Sequence, residues 1–191
     1  MEQRTDKEYL DIVDEAGRPT GEIVARDRAH LEGIRHRTAH VWIVRRGKEG
    51  WEVLLQKRSM LKESFPGLYD TSSAGHIPAG DEPLESALRE LKEELGISAA
   101  PEQLDYAGSF SIYYERVFHG RPFRDNEVTW VYVYRDSVDI SDLTLQASEV
   151  DGVSWFGLET VWNEIQPGES ERFCPPREGV GTLREYIKRM E

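Results

Sequence analysis

Three carboxylates, Glu90, Glu93 and Glu94, fall within the stretch Arg89-Glu90-Leu91-Lys92-Glu93-Glu94-Leu95-Gly96. On a helix their offsets are i, i+3 and i+4, so all three project from one face. Like charges at such offsets cost a few tenths of a kcal/mol per pair on an isolated helix. A divalent cation reverses that cost, because hard cations such as Mg²⁺ select carboxylate oxygens. Taken alone, the pattern also fits a solvated acidic face with Arg89 and Lys92 as local partners.

The surroundings decide between these readings. At about 100° per residue, Leu84, Ala87, Leu88, Leu91 and Leu95 share one arc, the core face. The three glutamates lie roughly 120° round from its centre, at the rim, where a cleft can hold them. Upstream, residues 75–80 (GHIPAG) carry two glycines and a proline, a loop that lets backbone approach a partner closely. Asp81 is a good N-cap type, Pro83 suits the first turn, and Gly96 suits the helix end.

Other elements must position this helix. Residues 39–44 (AHVWIV) and 51–56 (WEVLLQ) read as antiparallel strands joined by a turn. Residues 57–67 read as a loop with three cations and a Pro-Gly stop, and 69–74 as a short extended feed into the glycine loop. Residues 103–114, 127–134 and 150–156 are further strands, with a turn at 119–122. A short helix is expected at 158–165, a loop at 166–181 and a closing helix at 182–190. At the N-terminus, residues 1–8 are polar and expected to fray. A β-hairpin extension over about 9–25 precedes a basic segment, 26–37, that carries His30 and His36. The pattern is a mixed sheet with few helices, an α+β or α/β class and no regular βαβ series.

The chain has 191 residues, enough for one domain with a sizeable core, and the whole of 1–191 is expected to form it. Net charge is −12, and no basic footprint for nucleic acid dominates. An acidic protein acting on a phosphorylated substrate needs metal ions or a local basic patch. Cys174 is the single cysteine, which excludes an intramolecular disulfide and a Cys₄ or Cys₂His₂ zinc site. No stretch approaches 18 apolar residues and no signal-peptide core is present, so a cytoplasmic protein without membrane contact is expected. A strand edge of the hairpin could support a homodimer.

The helix and its loop resemble the Nudix box. Gly75, Asp81, Arg89, Glu90, Leu91, Glu93, Glu94, Gly96 and Ile97 stand at box positions across 23 residues. The family usually has Glu where this chain has Asp81, so Asp81 is a peripheral metal contact or a plain cap. The resemblance implies an α/β/α sandwich, a mixed β-sheet between helices, with the box as loop-helix-loop. It implies cleavage of a diphosphate linked to a second moiety, with Mg²⁺ or Mn²⁺. Glu90, Glu93 and Glu94 would hold the metal, joined by the Gly75 carbonyl. Arg89 would orient a box glutamate, and a carboxylate or the metal would deprotonate the attacking water.

The opening residues 8–21 (EYLDIVDEAGRPTG), 41–42 (VW), 54–59 (LLQKRS), 65–70 (FPGLYD) and 73–76 (SAGH) resemble the branch that contains isopentenyl-diphosphate isomerases, a similarity over roughly residues 9–160. By that resemblance His30, His36, His76, Asp125 and Glu127 are a second metal set, with Glu127 alternatively a general base, and the histidines alternatively structural. Arg58 and Lys62 match diphosphate-contacting cations. Isomerisation needs a thiol two residues before His76, where this chain has Ala74. Cys174 is about a hundred residues away. The isomerases also have a degraded box, which is complete here. Hydrolysis of a nucleotide-type or prenyl diphosphate is therefore expected, with isomerisation and diphosphate sensing without turnover as alternatives. Tyr113, Tyr114 and the aromatic run 130–134 belong either to a pocket for the second moiety or to the core.

Overall fold

Runs of β-branched and aromatic residues pair into one mixed sheet, and the helices cover its two faces. The structure, a computed structural model, describes residues 8–165 and 170–191. Its strands are β1 (Tyr9–Val13), β2 (Pro19–Ala25), β3 (His36–Gly47), β4 (Gly50–Arg58), β5 (Tyr69–Asp70), β6 (Ser73–His76), β7 (Leu104–Phe118), β8 (Arg121–Tyr134) and β9 (Val150–Gly157). Its helices are α1 (Arg26–Glu32), α2 (Pro83–Leu95), α3 (Leu158–Glu164) and α4 (Arg177–Met190).

The seven-stranded sheet runs β5-β4-β3-β8-β7, with β6 added to β3 and β9 to β4. Only β3 and β8 among these pairs run parallel. β3 is buried on both faces, which is why its middle is continuously apolar. Ala39, Val41 and Ile43 pack with Ala87, Leu91 and Leu95 of α2. Trp42 packs with Leu158 and Val161 of α3 and with Val180, Leu183 and Ile187 of α4. Each fully buried leucine contributes roughly 1.5–3 kcal/mol. The result is the expected α/β/α sandwich.

Register sets the chemistry. His36 lies opposite Glu127 on β8, and Thr38 lies opposite His76 on β6. Both edges of β3 therefore deliver polar residues to the same end of the sheet. The β7–β8 hairpin turns through His119 and Gly120, at φ 49 and 75. Two left-handed residues give the turn hand that matches strand twist.

β1 and β2 form their own antiparallel pair and enclose Leu10, Val24 and Ala29 of α1. This hairpin docks on the loop before α2, where Leu10 bridges Pro78 and Ala79 N–H donates to the Tyr9 carbonyl at 2.8 Å.

Two expectations need correction. The final helix begins at Arg177 and not at residue 182. Gly179 and Gly181 suggest a loop, but a Cβ on Gly179 would stand 3.2 Å from the Phe110 ring, so this glycine serves close helix packing. The expected loop thus shortens, and residues 166–169 of it lie outside the described residues, as do residues 1–7. Asp81 does not cap α2. Glu82 holds the N-cap position, and no side chain caps the helix. Among the described residues no helix is long and apolar enough to cross a membrane.

Candidate active site

The apolar stripe of α2 fixes where its carboxylates go. With Ala87, Leu91 and Leu95 pinned in the core, Glu90 folds over Gly75. A Cβ at position 75 would stand 2.2 Å from the Glu90 carboxyl carbon, so only glycine leaves room for that side chain. Arg89 bridges the group: its guanidinium lies 2.8 Å from Glu90 and 3.2 Å from Glu93, and it donates to the His76 carbonyl at 3.3 Å. Glu94 is buried and accepts from Ala74 N–H at 3.1 Å and from Gln56 Nε2 at 3.2 Å. Glu93 is half exposed.

Burial dominates the electrostatics. It pushes Glu94 up to about 8, with neighbouring Glu90 adding to the rise. It pushes Glu90 up to about 7 against the opposing pull of Arg89. Two carboxyls that resist ionisation alone become favourable ligands once a cation is beside them.

A second cluster lies beside the first. His30 comes from α1, His36 from β3, His76 from β6, and Asp125 and Glu127 from β8. His30 Nε2 is 3.3 Å from His76 Nε2. His36 Nε2 is 3.8 Å from both Asp125 Oδ1 and Glu127 Oε1, and His30 Nε2 is 3.8 Å from the same Asp125 oxygen. His36 Nδ1 donates to the Ile34 carbonyl at 2.9 Å, which leaves Nε2 as a bare lone pair aimed into the cluster. That Nε2 and Asp125 Oδ1 are buried without a hydrogen-bond partner.

Burial holds all three imidazoles neutral, with His30 pushed down to about 3 and His76 well below its ordinary value. It raises Asp125 and Glu127. Neutral imidazoles, one oriented by a backbone carbonyl, together with buried acids form a donor set that fits a metal ion.

Both clusters open onto one cleft of about 1090 Å³. Arg58 and Lys62 line it, but each already has partners. Arg58 donates to Asp70 at 2.9 Å and to Ser64, and Lys62 pairs with Glu149. Asp81 is exposed and outside the cleft lining. Phe65, Tyr114, Phe118 and Phe123 form an aromatic wall, with Phe123 stacked on His30 at 4.5 Å. Trp130, Tyr132 and Tyr134 belong to the core.

Three lining residues escape sequence reasoning. Arg26 sits at the mouth, loosely paired with Glu8 at 3.5 Å, and its charge helps to lower His30, His36 and His76. Cys174, distant from Ala74 in sequence, lines the same cleft and bonds Tyr69 through its N–H at 2.9 Å. His40 lies on the cleft floor. A basic residue four before His30 was the one available signal, and only docking of the hairpin gives it meaning.

Residues 34–174 match the family model for the NUDIX domain. A Nudix hydrolase of Clostridium acetobutylicum is 40% identical over 178 residues, 91% of this chain and 84% of that protein. Nudix hydrolase 3 of Arabidopsis thaliana is 37% identical over 159 residues, 82% of this chain but 20% of that protein. Among solved structures, a protein of Deinococcus radiodurans superposes with a TM-score of 0.65 at 19% identity, covering 93% of this chain and 98% of that one, which is a likeness of fold.

Proposed function

The chain belongs to the Nudix hydrolase family, and on that premise we propose that it is a divalent-metal-dependent hydrolase of a diphosphate linked to a second moiety. The observation that carries this reading is that Glu90, folded over Gly75, and buried Glu94, bonded to Ala74 N–H, line one cleft together with Glu93. Mg²⁺ or Mn²⁺ bound there would neutralise phosphate oxygens and acidify water.

Glu90, Glu93 and Glu94, with the Gly75 carbonyl, would hold that cation. Arg89 orients Glu90 and Glu93. Glu94, fixed by Ala74 N–H, would take a proton from the attacking water once a cation beside it keeps it ionised, and Glu127 would be the second candidate base. His30, His36, His76, Asp125 and Glu127 would hold a second cation, for which the unpartnered His36 Nε2 is the supporting observation. Arg26 joins Arg58 and Lys62 as a phosphate-facing cation. Hydrogen bonds to Asp70 and Ser64 hold the Arg58 guanidinium rigid.

The test is a screen of diphosphates with Mg²⁺ or Mn²⁺, reading phosphate against pyrophosphate release, on the native chain and on Glu94→Gln. Loss of a proton-transfer group costs about 10²–10⁴-fold. Glu94→Gln should lose at least a hundredfold in kcat while its thermal midpoint is retained. Unchanged activity would sink the mechanism. Binding of a diphosphate by calorimetry with no product formed would identify a sensor.

A second reading, isomerisation of the kind the resembling branch performs, has one observation in its favour. Cys174 places a thiol on the cleft wall, although burial and Asp70 hold it protonated. Solvent deuterium in recovered isopentenyl diphosphate, without phosphate release, would establish that reading instead.

A further inference from the structure

His36 and Glu127 stand opposite each other on the parallel pair β3 and β8. The next pair on the same side of the sheet is Thr38 and Thr129. Both threonines are buried. Their strand neighbours are apolar: Ala39, Val41 and Ile43 on β3, and Val128, Val131 and Val133 on β8. Strands buried on both faces of a sheet favour continuous apolar runs, so a pair of valines would serve packing at 38 and 129 at least as well. Packing therefore does not explain the two hydroxyls.

Their hydrogen bonds do. Thr38 Oγ1 donates to Glu127 Oε2 at 3.1 Å and lies 2.8 Å from Thr129 Oγ1. A hydroxyl carries one proton. Thr38 gives its proton to Glu127, so Thr129 is the donor in the 2.8 Å bond. Both protons then point along one chain, from Thr129 through Thr38 to the carboxylate. Among the described residues the Thr129 hydroxyl has no other partner, so the reverse direction would leave its proton unmet in the core. Glu127 Oε2 is thereby engaged from behind, and Oε1 is the oxygen that faces His36 Nε2, at 3.8 Å. His36 is held in the same manner, with Nδ1 on the Ile34 carbonyl at 2.9 Å and Nε2 aimed into the cluster. Outer partners of this kind fix the orientation of metal ligands.

We propose that Thr38 is a positioning residue for Glu127: its hydroxyl, backed by that of Thr129, occupies one carboxylate oxygen and turns the other toward the histidines. This rests on the reading of His30, His36, His76, Asp125 and Glu127 as a cation site.

The test isolates that site. In a chain carrying Glu90→Gln, Glu93→Gln and Glu94→Gln, the box carboxylates are gone, and Mn²⁺ affinity is read from the paramagnetic resonance signal of the free ion. Adding His36→Ala should abolish the binding that remains. Adding Thr38→Val instead should raise Kd roughly tenfold or more, the usual effect of losing an outer partner. Thr38→Ser should restore most of the affinity. Thr129→Val removes only the backing donor and should give a smaller rise. Valine suits both strand positions, so the metal-free thermal midpoint should be retained. An unchanged Kd in Thr38→Val, or a loss that Thr38→Ser does not restore, would overturn the proposal and leave the cation site standing. If Thr38→Val does not fold, Thr129→Val decides, and an unchanged Kd there overturns it. Absence of Mn²⁺ binding, or binding that survives His36→Ala, would refute the cation-site reading and the proposal with it.

Discussion

Glu94 accepts two hydrogen bonds and is still held up to about 8, because burial outweighs them. The sign of the consequence follows from proton counting. Between its ordinary value of 4.5 and about 8 the folded chain binds a proton that the unfolded chain has released, so stability falls as pH rises through that window. Glu90, held at about 7, acts in the same direction. The metal-free thermal midpoint should therefore drop from pH 5 to pH 8, and added Mg²⁺ or Mn²⁺ should restore more at pH 8 than at pH 5. Calorimetry at pH 7 in buffers of different ionisation enthalpy should show proton release on metal binding, on the order of one proton. A heat independent of buffer would mean that the carboxyls are already ionised. At this scale the box residues were legible, because helical spacing alone puts Glu90, Glu93 and Glu94 on one face. The pairing of Arg58 with Asp70 and of Lys62 with Glu149 was not, since the latter joins residues 87 apart in sequence. Nor was the placement of His40 and Cys174, which depends on strand register.

Between elements, the N-terminal hairpin reaches the box loop through a buried ion pair. Arg37 of β3 donates to Asp11 of β1 at 2.7 Å and to the Asp81 carbonyl at 2.9 Å, and Asp11 also accepts from Gly80 N–H at 3.0 Å. Both residues are under a tenth exposed, so removing one side chain strands the other in low dielectric. Asp11→Ala should cost about 3–5 kcal/mol in denaturant unfolding, whereas replacing both partners by apolar residues of similar volume should cost less. A double replacement as damaging as the single one would show that the Gly80 bond, and not the charge pair, holds the loop. The strands of this hairpin were readable from alternation and turn residues. Its docking was not, because Asp11 and Arg37 each look like a surface charge in sequence. The start of α4 was hidden by Gly179, whose packing against Phe110 mimics a breaker signal.

Across the whole molecule the acidic balance also shapes the chemistry. Net charge is −12. Among the described residues the cleft is lined by eleven acidic residues, of which burial raises Glu90, Glu94, Asp125 and Glu127 toward the neutral form, and by four cations, Arg26, Arg58, Lys62 and Arg116, so the field at its mouth repels an anionic substrate and attracts a metal ion. These two effects respond oppositely to salt. Raising ionic strength from about 0.01 M to about 0.15 M shortens the Debye length from about 30 Å to about 8 Å. Apparent metal affinity should then fall, because long-range attraction is screened. At saturating metal, kcat/KM for a diphosphate should rise severalfold over the same range, because long-range repulsion is screened. Both slopes are measurable on one preparation by holding free metal fixed and varying an inert salt. A kcat/KM that falls with salt would mean that the four cations govern the field where substrate enters. The acidic remainder of the cleft would then act only on the metal.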